Sequence, residues 1–113
     1  MYGTATNTPI FNLPSERRFY FHTTDGETVA AAATMHDFST ALRHLDQQAL
    51  EYHLERGDFS HWLDGTIADK DLAARAAAWE DELEAHRAAD LERIRDQLVH
   101  AVEKRYLPSE EHD

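Results

Sequence analysis

From Lys70 to Leu107 the chain contains neither a glycine nor a proline, and nothing else in the sequence narrows its architecture as much. Helix breakers are absent there, alanine, glutamate and leucine are plentiful, and apolar residues recur at helical spacing. Leu72, Ala76, Trp79, Leu83, Ile94, Leu98 and Ala101 fall on one stripe, separated by three or four residues or their multiples. Roughly 37 residues at ~1.5 Å rise make a helix on the order of 55 Å long. A domain of 113 residues should be only about 35 Å across, from a radius of gyration near ~13 Å. Such a helix overhangs any core that the rest of the chain can build. Either it breaks between His86 and Asp90, or its distal half packs on another chain. Nothing in Ala85 to Leu91 resembles a turn, so the second outcome is expected. Leu91, Ile94, Leu98 and Val102 then form an interface, most simply in a homodimer. In water each large side chain would forgo roughly 1.5–3 kcal/mol of burial.

Upstream, the signals are local and varied. Met1 to Arg18 holds Pro9 and Pro14 with little periodicity and reads as an extended arm, with Ile10 to Leu13 apolar enough to dock. Arg18-Phe19-Tyr20-Phe21-His22-Thr23 is β-prone, and Asp25-Gly26 before Glu27-Thr28-Val29-Ala30 completes a β-hairpin pattern. Thr34 followed by Asp37 reads as a capping box opening a helix with Phe38, Leu42 and Leu45. Asp46 caps a second helix, Gln47 to Arg56, which Gly57 stops. Asp58 caps a third, Phe59 to Leu63, ending near Gly65, and Asp69 caps the last. The expected class is mainly α with a small N-terminal β-hairpin (α+β): short helices packed on the hairpin, then one long C-terminal helix. The expected divisions are an arm over 1–18, a hairpin-plus-helices domain over 19–76, a helical extension over 77–107 and a disordered tail over 108–113. Phe19, Phe21, Phe38, Leu42, Leu45, Leu50, Tyr52, Leu54, Phe59, Trp62, Leu63 and Leu72 are the expected core.

Charge excludes some functions and favours a habitat. Twenty-two acidic residues face eleven basic ones, a formal net charge of -11. Binding nucleic acid by phosphate neutralisation is disfavoured, because the polyanion would be repelled overall. Nine of the basic residues are arginine, and with abundant alanine this suggests a GC-rich genome. The acidic excess adds a halophilic reading, in which a salt-loaded cytoplasm screens the self-repulsion. No apolar run is long enough to cross a bilayer and no signal-peptide core opens the chain, so a cytoplasmic protein without membrane contact is expected. With no cysteine, disulfides, zinc–thiolate sites and cysteine nucleophiles are excluded.

The run Phe19-Tyr20-Phe21, Asp25-Gly26, a helix, then His53, Gly57-Asp58-Phe59, Trp62-Leu63, Asp69 and Leu72-Ala73 resembles a small archaeal and bacterial domain family of unknown function. That family pairs an aromatic strand and a D-G turn with a H…(N/G)DF…W(I/L)…D…LA stretch. The resemblance covers about residues 19–76. It implies a compact hairpin-plus-helices module that behaves as an interaction module, and it carries over no catalytic residues. The same residues have a plain folding account: Gly57 stops a helix, Asp58 caps the next, and Phe59, Trp62 and Leu63 share one face.

Eight histidines invite a metal reading. His53 and His61 flank Asp58, while Glu82 with His86 and Asp96 with His100 are carboxylate–histidine pairs at i, i+4 on one helix face. No HExxH is present, and an acidic helix creates such pairs readily. There is no G-x-S-x-G elbow and no glycine-rich phosphate loop, and no cofactor is expected. The expected function is therefore a non-enzymatic interaction or assembly protein that self-associates through its C-terminal helix, with a larger protein partner possible. The alternative is a small metal- or ligand-binding protein using histidine and carboxylate groups between helices.

Overall fold

Thr34 and Asp37 show how local chemistry places the first helix. The Thr34 side chain accepts the Asp37 N–H at 2.9 Å, and the Asp37 carboxylate reaches back to the Ala33 N–H at 3.2 Å. Helix α1 (Met35–His44) starts there. Asp46 caps α2 (Gln47–Arg56) through the Gln48 N–H, and Gly57, in the left-handed region at φ 71°, stops it. Then come α3 (Asp58–Gly65), α4 (Lys70–His86) and α5 (Leu91–Tyr106). The computed structural model describes residues 12–86 and 90–107. The beginning of the arm, Ile10 and Phe11 included, and the expected disordered tail over 108–113 lie outside the described residues.

The hairpin pairs β1 (Phe19–His22) with β2 (Thr28–Ala32) antiparallel, Phe19 opposite Ala32 and Phe21 opposite Ala30. Its connection is longer than a two-residue turn. The Thr23 N–H donates to the Glu27 carbonyl, and Gly26, at φ 90°, donates to the Thr23 carbonyl. Alternation puts Phe19 and Phe21 in the core and leaves Tyr20 and His22 half-buried. Residues 12–18 are docked: the Leu13 N–H donates to the Ala33 carbonyl, and the Arg17 carbonyl accepts the Trp62 indole N–H at 2.9 Å.

The mainly α architecture with an N-terminal hairpin and a long C-terminal helix is what the structure has, but the glycine-free segment is not one rod. Helix α4 ends at His86 and α5 begins at Leu91, and α5 runs back antiparallel to α4. Arg93 pairs with Glu82 near the reversal, and Arg105 pairs with Asp69 at the other end. This overturns the expected overhang. Leu91, Ile94, Leu98 and Val102, expected at an interchain face, are buried in the chain's own core. Helix α5 packs chiefly on α1 and also on α4. The division after Ala76 falls inside α4, and one hydrophobic cluster spans both sides of it.

The physical reason is a competition that local propensity does not register. Breaking one helical turn gives up a few hydrogen bonds worth about 0.5–1.5 kcal/mol each. Folding back covers four large side chains at roughly 1.5–3 kcal/mol each. Polar groups then fix the docking. The Arg95 guanidinium, itself buried, donates to the Leu42 and Leu45 carbonyls at 2.7 Å and so caps the C-terminus of α1. Arg43 forms a forked pair with Glu103, and Gln47 reaches Glu92 at 2.8 Å.

Candidate functional site

The core of the head is an aromatic cluster in which a histidine sits among phenylalanines. Phe19 lies 4.7 Å from Phe21, 5.2 Å from Phe59 and 5.2 Å from the His53 ring, centroid to centroid. Phe38 and Trp62 are 4.9 Å apart. Every expected core residue is buried except Tyr52, which is half-exposed on α2.

His53 is 1% exposed, and both of its ring nitrogens are engaged. Nε2 accepts the His22 main-chain N–H at 2.8 Å, so Nδ1 carries the proton and donates to the Asp58 carboxylate at 2.8 Å. The side chain thus joins β1 to the start of α3. Burial, the largest influence, lowers its pKa below the ordinary histidine value despite the neighbouring Asp58 carboxylate. A neutral ring is also what the geometry needs, because a protonated Nε2 could not accept from His22. A histidine–carboxylate pair is two-thirds of a hydrolytic triad, but here the nitrogen that would serve a nucleophile holds a backbone amide. The same contact leaves no lone pair for a metal.

Asp58 does not cap α3 as expected. It is the first residue of that helix, and its carboxylate receives His53 and the Arg56 Nε at 3.2 Å. The cap comes from α4: Glu80, nearly buried, accepts the Ser60 N–H at 3.1 Å. Burial pushes the Glu80 carboxyl up, against hydrogen bonds from Ser60 and the Phe59 main chain. Asp69 caps α4 as expected, accepting the Leu72 N–H at 3.0 Å. It also receives Arg105 at 2.7 Å and the Tyr106 hydroxyl at 2.6 Å, which clamps the end of α5 to the start of α4. Burial alone would raise the Asp69 pKa, but these donors together hold it below the usual carboxylate value.

The remaining metal candidates are scattered. His61 is exposed on α3, Glu82 is paired with Arg93, and Asp96 and His100 are exposed on α5. The His86 side chain lies outside the description. Among the described residues no group of three or more histidines and carboxylates is placed to hold a metal ion.

Two concave surfaces stand out. A groove of about 650 Å³ between α1, α4 and α5 contains the forked Arg43–Glu103 pair, Arg75 over the Trp79 ring, and Asp96 and His100. Its charges are mixed, with Arg43 and Glu103 paired. The second, a cleft of about 480 Å³, lies between β1 and the α2–α3 corner and has His53 in its floor. Arg18, Tyr20, His22, Tyr52, Arg56 and His61 line it, and Asp58 is its single carboxylate. Arg56 stacks over the Tyr52 ring, 5.2 Å from its centroid. Sequence reasoning reached His53, Asp58 and His61 through the histidine spacing. It missed Arg18, Tyr20, Tyr52 and Arg56, because the long-range packing of β1 on α2 brings these together. The one available signal was that Tyr52 and Arg56 sit at i, i+4 on α2.

Among the described residues no helix is long and apolar enough to cross a membrane. No protein-family model, curated protein or solved structure matches the chain.

Proposed function

We propose that this protein is a non-enzymatic, cytoplasmic protein-interaction module that docks a larger partner through the cleft between β1 and α2–α3. One observation carries this reading: the buried ionisable groups act as helix caps and element links, and two tyrosines and two arginines, Tyr20, Tyr52, Arg18 and Arg56, come together along that cleft. His53, Glu80, Asp69 and Arg95 all have their hydrogen bonds inside the fold. Tyrosine and arginine are the residue types that anchor protein interfaces, and here Tyr20 stands on β1 and Tyr52 and Arg56 on α2, with Arg18 directly before β1. The resemblance of residues 19–76 to a small domain family of unknown function, which implies an interaction module, points the same way. Self-association through α5 is not part of it, since the residues assigned to that contact are covered by α1 and α4.

The test is site-specific crosslinking. A photoreactive side chain replaces His61 at the cleft, or Asp81 on the exposed face of α4 as control, in the full chain within a lysate of the source cells at native salt. A discrete adduct from position 61 and none from position 81 is expected. Equal labelling from both positions, or none from position 61, overturns the reading.

A further inference from the structure

The sign of the charge in the cleft is opposite to that of the molecule. Over the described residues, six of the ten lysines and arginines lie against a carboxylate: Arg43 on Glu103, Arg56 on Asp58, Lys70 on Asp64, Arg93 on Glu82, Arg95 on Glu92 and Arg105 on Asp69. Arg18 in the cleft and its chain neighbour Arg17 depart from this pattern. Arg18 donates its Nε to the Leu13 carbonyl at 2.8 Å, and Arg17, at the rim beside Trp62, donates to the Thr66 carbonyl at 3.4 Å. A guanidinium carries five N–H donors, so each keeps a fork unused by these contacts. Arg56 shares Asp58 with His53 and is held in place by its stacking on Tyr52. In a chain of net charge -11, two arginines and three histidines line the cleft with one carboxylate, and Arg17 stands beside it.

We infer that the cleft recognises a short acidic segment of another protein, whose Asp or Glu carboxylates pair with the forks of Arg17, Arg18 and Arg56 while Tyr20 and Tyr52 flank its backbone. The inference rests on the interaction reading of the same cleft and names the chemistry of the partner. Arginine and carboxylate pair fork to fork, and such charge-assisted bonds are about twice as strong as neutral ones. A short peptide presents a few charges to the cleft alone. A nucleic acid carries a charge every ~1.7 Å of its axis and would extend over the acidic remainder of the surface.

The probe is a fluorescein-labelled peptide of alternating glutamate and alanine, followed by anisotropy in the lowest KCl concentration at which the melting curve shows the protein folded. Its glutamine–alanine counterpart is the control. Saturable binding of the glutamate peptide alone is expected, weakened about tenfold by Arg56→Gln and again by Arg18→Gln, since each loses one charge-assisted contact. No binding of the glutamate peptide, equal binding of the glutamine peptide, or indifference to both substitutions overturns the inference. The crosslink at position 61 separates the two levels. An adduct whose partner segment lacks Asp and Glu removes the acidic inference and leaves the interaction reading standing, whereas the absence of any adduct removes both.

Discussion

Glu80, in the middle of α4, accepts the main-chain N–H of Ser60 and so caps a helix twenty residues away in the chain. The residue that local rules assign to that role, Asp58, is turned toward His53 instead. Two helices and a strand are thereby tied together at the Gly57 corner, where the left-handed glycine brings the end of α2 to the start of α3.

This exchange has a measurable pH signature. The Glu80 pKa is raised by burial, so its contribution to stability is fully present below the unfolded value of about 4.3 and is lost as pH rises through the folded value. Glu80→Gln keeps an acceptor for Ser60 without a charge to bury. In urea melts the variant should match or exceed the parent at pH 7 and lose that advantage toward pH 4. Glu80→Ala leaves the amide without its partner and should cost about 1–3 kcal/mol.

His53 should show the opposite dependence. Its pKa is lowered, so the stability it contributes is present above the unfolded value of about 6.5 and is lost as pH falls below it. His53→Phe fills the same aromatic space but strands the His22 N–H and leaves the Asp58 carboxylate to Arg56 alone. The variant should be destabilised by about 1–3 kcal/mol at pH 7, and its deficit should shrink between pH 7 and pH 5. A deficit constant over that range would mean that the ring is not held neutral.

Ile94 and Leu98 are fully buried against the chain's own helices. Ile94→Ala should cost about 2–5 kcal/mol. Replacing both with Asp should unfold the whole molecule, seen as loss of helical circular dichroism, and should not release folded subunits. Light scattering behind a sizing column should give the mass of a single chain. A folded double variant would show that α5 is dispensable to the head.

The acidic excess makes salt the fourth variable. Screening shortens the reach of self-repulsion from ~10 Å at 0.1 M to ~3 Å at 1 M. The melting temperature should therefore climb from dilute buffer to molar KCl if the chain belongs to a salt-loaded cytoplasm. A flat profile would remove the halophilic reading while leaving the fold untouched.

What the sequence determined by itself was local. Thr34 with Asp37, Asp46, Gly57 and Asp69 mark helix ends because capping acts over three or four residues, and each of these ends lies where its cap or stop lies. Phe19 and Phe21 face inward because strand geometry alternates, and Phe59, Trp62 and Leu63 are buried together because they share one helical face. Which surfaces meet depended on packing between distant segments. The segment from Lys70 to Leu107 has helix propensity throughout, yet α5 folds back, because covering Leu91, Ile94, Leu98 and Val102 on α1 outweighs one broken turn. Asp58 was free locally to cap α3, yet a neutral, buried His53 claims it and Glu80 takes its place. The cleft belongs to this second kind: Arg18, Tyr20, Tyr52 and Arg56 become neighbours only when β1 packs on α2, a contact between segments some thirty residues apart, as in the bond from the His22 amide to His53. Capping energies depend on positions within one turn, whereas burial and charge pairing depend on distances that the chain acquires only after it has folded.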